Sequence, residues 1–342
     1  VTVTWGADRD LVGTLGAFDV NRPPVHGAPD APFKQWVHTT VWHPALTLVA
    51  NFSSVHAKRG GEHRVTTLVY GDRVAGHVRL FPAAVCDAPV GRATAAFGPN
   101  RVRRIGPEYD VELFEPELDL RATLTLRAAT HASTTVGVRL GGGGRLGWSV
   151  IPRLVANGTI QYAGRVYEIE DAPAYRDRNW GCFAFGELSW DWLYTLAGGG
   201  DSPWAVVVSR LTDRARSRIW QQAVLVWERS ELLATFRDRD VTIRGSRPHM
   251  RPVTTVPAAL GLCRPGEATD VPRSVEVEGR SSRGHVRLAF EADAVARVVV
   301  PNDSRLGTTP IYESLGHCRV TGDVEGRAVE FEGHGFLECL HA

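Results

Sequence analysis

The sequence predicts an all-β protein made of two antiparallel lobes, each closed as a barrel or packed as a sandwich. Three observations carry this. Runs of roughly five to nine residues rich in Val, Thr, Leu and aromatic side chains recur along the chain, separated by Gly, Pro, Asn or Asp. Several alternate apolar and polar residues, and no stretch sustains a helical period of about 3.6 residues over three turns. One barrel needs roughly 150 residues, and the chain has 342.

In chain order, strands are expected at residues 65–70, 78–81, 118–126, 134–140, 159–162, 205–211, 221–227, 286–290 and 295–300. The third shows the alternation most clearly. Leu120, Ala122, Leu124 and Leu126 face one way, while Asp119, Arg121, Thr123, Thr125 and Arg127 face the other. Tight turns are expected at Tyr70-Gly71-Asp72-Arg73 and at Ala163-Gly164-Arg165. The boundary between lobes is placed within residues 164–174, giving lobes 1–166 and 167–342. Segments 16–32 and 246–272 are long and rich in Gly or Pro, as lids or packed covers are.

Composition narrows the function. The chain carries 39 basic and 38 acidic residues, with 43% hydrophobic and 23% charged side chains. That balance describes a globular protein and argues against a nucleic-acid partner, which selects a basic face. Only Lys34 and Lys58 are lysine; the remaining basic residues are arginines interleaved with acids, as in Arg237-Asp238-Arg239-Asp240, and read as solvated faces. No apolar run approaches the ~18 residues of a transmembrane helix. No signal peptide is visible at the N-terminus. Cys86, Cys182, Cys263, Cys318 and Cys339 are odd in number and contain no C-x-x-C pair, so neither a disulfide framework nor a zinc site is expected. A reducing, cytoplasmic setting is the default. The N-x-[ST] triplets at Asn51, Asn157 and Asn302 are then chance matches.

Common catalytic motifs fail. Gly142-Gly143-Gly144-Arg145-Leu146-Gly147 matches G-x-G-x-x-G, but a dinucleotide site needs a helix next, and strand-like Trp148-Ser149-Val150-Ile151-Pro152 follows. It reads as a hairpin turn. There is no Walker A sequence, H-E-x-x-H or G-x-S-x-G. His38 and His43 flank a predicted strand and His334 and His341 lie near the end, without a second ligand at metal-binding spacing, so no metal is expected.

The informative segment is aromatic and polar. Trp148, Trp180, Trp190, Trp192, Trp204, Trp220 and Trp227 crowd it. The last three read as β-core filling. The others surround Ala174-Tyr175-Arg176-Asp177-Arg178-Asn179-Trp180-Gly181 and Ser189-Trp190-Asp191-Trp192. By itself this is equally a buried structural network or a site.

Four pieces together point further. Gly147-Trp148-Ser149-Val150-Ile151-Pro152, Gly164-Arg165-Val166-Tyr167, Tyr175-x-Asp177-x-Asn179-Trp180-Gly181 and Trp190-x-Trp192 resemble the lipocalin-like carotenoid hydratase family of the hydroxyneurosporene synthase type. Tocopherol cyclases and fungal decalin-forming Diels–Alderases are its more distant relatives. The end of the chain, Gly333-His334-Gly335-Phe336-Leu337-Glu338, is similar to the family's C-terminal strand. The resemblance implies two lipocalin-like β-barrel lobes with an apolar pocket at or near their junction, a hydrophobic small-molecule substrate and no cofactor. It implies that Asp177 is a proton donor to an alkene, with Tyr175 and Trp148 flanking the cation, and that Asn179, Arg178, Trp180, Trp190 and Trp192 contact substrate. A carboxyl among aromatic rings is desolvated and holds its proton toward neutral pH. Ring faces stabilise a carbocation by about 0.5–2 kcal/mol each.

One position departs from the pattern. Arg178 stands where the family often has histidine, and an adjacent guanidinium would favour ionised Asp177 and weaken alkene protonation. The leading expectation is therefore a cofactor-independent cyclase of a polyene, polyketide or isoprenoid in specialised metabolism, with [4+2] cycloaddition its sharpest form. Orientation alone supplies about 7–11 kcal/mol to such a step in well-placed cases. The alternatives are a carotenoid or terpenoid hydratase using Asp177, and a non-catalytic lipid or pigment carrier.

Overall fold

A computed structural model describes residues 2–3, 19–24, 31–57, 60–197, 203–248, 253–262, 271–301 and 308–340. Lys58, Cys263, Asn302, His341 and parts of segments 16–32 and 246–272 lie outside the described residues. The described residues contain strands and short 3-10 turns, and no α-helix. No helix among them is long and apolar enough to cross a membrane.

The chain divides into two compact units, Val1–Phe183 and Ala184–Ala342. The division falls later than the 166/167 boundary expected from the sequence, and strand pairing is the reason. Strand Arg165–Cys182 turns back at Ala163-Gly164 and pairs along its length with Arg145–Tyr162. Its C-terminal half also pairs with Phe33–His43, from Ala174 opposite Val41 to Cys182 opposite Phe33.

The first unit is one antiparallel sheet whose main path is nearly closed. It begins with Phe33–His43, Leu46–Ala57, Gly60–Tyr70 and Val74–Phe81, each paired with the next. From Phe33–His43 the path continues the other way through Arg165–Cys182, Arg145–Tyr162, Leu120–Ala128 and Glu108–Glu115 to Cys86–Asp87. Ser133–Arg139 joins this sheet at Arg145–Tyr162 through the glycine-rich hairpin, as expected. Along Leu120–Ala128 the even-numbered residues are buried, and Asp119, Arg121, Thr123 and Arg127 are exposed. The inner face packs Val41, Leu48, Phe52, Val111, Leu124, Ile151 and Ile160 into one core, each fully buried side chain contributing about 1.5–3 kcal/mol before entropy.

The second unit repeats the layout. Leu188–Ala197, Trp204–Asp213, Ile219–Glu228 and Glu231–Arg237 form a meander. The last strand, Arg327–Leu340, returns to pair with Leu188–Ala197. Thr308–Val324, Gly284–Pro301, Pro272–Ser281 and Val241–Pro248 continue outward. This sheet is not clearly closed, and it includes one parallel pair, Thr254–Val256 with Gly284–Pro301. Two expected strands, 286–290 and 295–300, are one. Gly284–Pro301 runs straight through a register shift between Ala292 and Ala294, where an extra residue bends the strand without ending it. Of the tryptophans expected to fill the core, Trp204 and Trp227 are buried, but Trp220 is only half-buried near the start of its strand.

Candidate functional site

Strand Arg165–Cys182 sets the geometry. Successive side chains on a strand point to opposite faces, so Tyr175, Asp177 and Asn179 share one face while Arg176, Arg178 and Trp180 share the other. Both rows are buried. The neighbouring strands add to the first row: Thr40 lies opposite Tyr175, His38 and Val150 opposite Asp177, and Trp36 and Trp148 opposite Asn179. That face is turned away from the unit's own core, because Val41 and Ile151 of the core sit on the other one.

Asp177 is held from both sides. The Tyr175 hydroxyl donates to Oδ2 at 2.9 Å and Asn179 Nδ2 donates to Oδ1 at 2.6 Å. Residues two apart on one face can both reach the carboxyl between them, which is the physical content of the Tyr-x-Asp-x-Asn spacing. Beside it, His38 Nε2 is 3.0 Å from Thr40 Oγ1 and the imidazole meets the Tyr175 ring edge-on at 6.3 Å. Burial pushes the His38 pKa down to about 3, so this ring is neutral near pH 7. Trp148 is also fully buried.

Arg178 and Trp180 do not join this face. Arg178 Nε donates to Asp19 Oδ1 at 2.8 Å and Nη1 to Asn21 Oδ1 at 2.6 Å. Sequence adjacency to Asp177 therefore does not make an ion pair, because neighbours on a strand point apart. Arg176 Nε donates to the other Asp19 oxygen at 3.3 Å, and its guanidinium lies over the Tyr109 ring at 4.2 Å. Burial opposes ionisation of Asp19, yet the charges of Arg176 and Arg178, with the hydrogen bond from Arg178, hold its carboxyl well below the usual range. Trp180 sits beneath the Arg22 guanidinium at 4.8 Å.

Trp190 and Trp192 belong to the second unit, on one face of Leu188–Ala197. Trp190 Nε1 donates to Glu338 Oε1 at 2.5 Å, and Trp192 lies directly opposite Glu338. Glu338 in turn lies opposite Glu313. Loss of hydration pushes the Glu338 pKa up to about 7 against the hydrogen bonds with Trp190 and Glu313. Sequence reasoning missed this carboxylate pair. Glu338 stood in the C-terminal run only as part of a resemblance, and Glu313 carried no signal until strand register was known. His38 was noted only as flanking a strand, and Asp19 not at all.

Comparisons with known proteins bear on the fold. No protein-family model and no curated protein matches the chain. Among solved structures, an AttH candidate from Nitrosomonas europaea superposes with a TM-score of 0.63 at 13% identity, covering 93% of this chain and 94% of that one. Kievitone hydratase from Nectria haematococca gives 0.56 at 12%, covering 95% and 97%. CghA with Sch210972 gives 0.59 at 14%, covering 94% and 93%. The chain thus shares the all-β fold of these proteins along most of its length. Of the two barrels expected, the first unit forms a nearly closed sheet and the second is not clearly closed, so the all-β antiparallel class is observed and the second barrel is not.

Proposed function

We propose that this protein is an enzyme acting on a hydrophobic small molecule, adding water to an alkene or removing it, with Asp177 as the proton donor. The observation that carries the reading is the Tyr175–Asp177–Asn179 row, buried beside Trp148 and neutral His38, with the guanidiniums of Arg176 and Arg178 on the opposite face. The feature that favoured cyclisation over hydration was a cation next to Asp177, and Arg178 is engaged elsewhere.

The row suits proton transfer. Asn179 donates to Oδ1 and the Tyr175 hydroxyl to Oδ2, and the acid proton occupies a remaining lone pair of the carboxyl, each oxygen having two. Transfer to an alkene carbon leaves a carboxylate and a carbocation. The hydrogen bonds that Tyr175 and Asn179 already donate to the two carboxylate oxygens strengthen as charge develops. The Trp148 and Tyr175 rings offer their faces to the cation. Water adds to the cation and loses a proton, and Asp177 is the base that recovers it. Kievitone hydratase, one of the proteins sharing the fold, is a hydratase by name. A second reading, cyclisation of a polyene, follows from the resemblance of the Tyr175–Gly181 motif to a family whose distant relatives include decalin-forming Diels–Alderases.

The test is incubation with a panel of acyclic carotenoids and other polyenes in heavy-oxygen water. Hydration yields a product that has gained one labelled water, and Asp177→Asn lowers turnover by about 10²–10⁴ with an unchanged β-sheet circular dichroism spectrum. An isomer of unchanged mass would replace hydration with cyclisation. Ligand recovered unaltered after binding would overturn the catalytic reading.

A further inference from the structure

The core-facing row of the first unit contains more hydrogen-bond donors than its own side chains use. Thr134, Ser149 and Arg178 lie side by side on three adjacent strands, in direct register, with Arg176 two residues from Arg178 on the same face. Their exposures are 1%, 2%, 2% and 1%, respectively. Among the described residues, Thr134 Oγ1, Ser149 Oγ, Arg176 Nη2 and Arg178 Nη2 have no hydrogen-bond partner. Buried polar groups are nearly always paired, and a charged donor left unmade is the costliest exception. The surrounding charges leave a surplus. Among the described residues Asp19 is the one carboxylate that Arg176 and Arg178 bond, so there two cations face one anion. The remaining partners, Thr39 Oγ1 on Arg176 and Asn21 Oδ1 on Arg178, are neutral.

We infer that this row is a binding site for a carboxylate, received by Arg176 and Arg178 through their outer nitrogens and by the hydroxyls of Ser149 and Thr134. The chemistry is specific in sign and number. Guanidinium nitrogens only donate, and hydroxyls donate as readily as they accept, so the ligand must bring acceptors. One negative charge balances the two arginines and Asp19. Burial also pushes the Arg178 pKa down, and a bound anion relieves that cost. This site lies on the opposite face of strand Arg165–Cys182 from Asp177 and does not depend on the proposed hydration.

The experiment uses the full chain with acetate and decanoate as probes and neutral decanol as control. Binding is read by calorimetry and by the shift in Tm. Decanoate or acetate is expected to raise Tm, and decanol to have no effect. A double variant, Ser149→Ala with Thr134→Val, is expected to bind the carboxylate about tenfold or more weakly, since hydrogen bonds to charged groups are the strong ones. Its Tm without ligand stays level or rises, because unpaired buried hydroxyls have been removed. Tighter binding of decanoate than of acetate identifies the acid end of an apolar ligand; equal binding identifies a small free carboxylate. If neither anion binds, if decanol binds as well, or if the double variant keeps full affinity, the site does not exist.

Discussion

Gly147 lies directly across from Trp180, and a Cβ there would come within 2.8 Å of the indole ring. The first residue of the Gly147–Pro152 motif is therefore a packing requirement. Gly147→Ala is expected to destabilise by about 1–3 kcal/mol, the range of overpacked cores, seen as a lower urea midpoint with an unchanged slope. Asp19 is the opposite kind of residue, invisible in any motif but the counter-charge of two buried guanidiniums. Asp19→Asn leaves both without an anion and should cost about 3–5 kcal/mol; a loss under 1 kcal/mol on the same denaturation measurement would mean that water, not Asp19, solvates them. At Tyr175 the ring and the hydroxyl have separate tasks. Tyr175→Phe keeps the ring near His38 and removes the donor to Asp177, so turnover should fall by roughly tenfold or more while the fold is kept.

Strands explain why some of the site was legible and the rest was not. The Tyr175, Asp177 and Asn179 set could be read because period-2 alternation is a property of sequence alone. The same rule, applied to Arg178, places its guanidinium on the other face; reading it as Asp177's neighbour treated sequence adjacency as contact. The 286–300 region was split between residues 290 and 295, where the structure has a bulge in one continuous strand. Glu313 and Glu338 are paired by the turn at Glu325-Gly326, both residues having positive φ, 54° and 72°. Register counts outward from that turn without a shift to Glu313 opposite Glu338, so locating the turn would have found the pair. Asp19 had no such signal, since it comes from an irregular segment far from Arg178 in sequence. Gly326→Val forces a β-branched residue into the left-handed region at a cost of about 1–2 kcal/mol. It should also move the Glu338 titration seen by NMR, because the turn sets that pairing.

At the scale of the molecule, two buried groups give opposite pH slopes. His38 titrates near 3 when folded against 6.5 ordinarily. Its contribution is complete above 6.5 and is lost as pH falls toward 3. Glu338 titrates near 7 against 4.5, so its contribution is complete below 4.5 and lost as pH rises toward 7. Each acts with a slope of at most about 1.4 kcal/mol per pH unit. Between the two ordinary values the slopes oppose, and stability is expected to be flat there, falling on the acid side from His38 and toward neutrality from Glu338. Denaturation midpoints of Glu338→Gln should lose the fall toward neutrality and keep the acid one; a Glu338→Gln curve that overlays the wild type would show that Glu338 does not hold its proton.

Pairing the first long strand of each unit with its last also determines how the unit must be assembled. Val41 waits for Ala174, and Trp190 for Leu340, so in each unit the ladder that joins its two ends is completed only when the last strand of that unit has been made. Closing a loop of that length costs chain entropy that grows with the logarithm of its length. Topologies dominated by such distant pairings fold in about milliseconds to seconds. A ribosome that has released Phe33–His43 but not yet Arg165–Cys182 presents a strand edge with no partner. During synthesis that edge is the part of the first unit most in need of a chaperone.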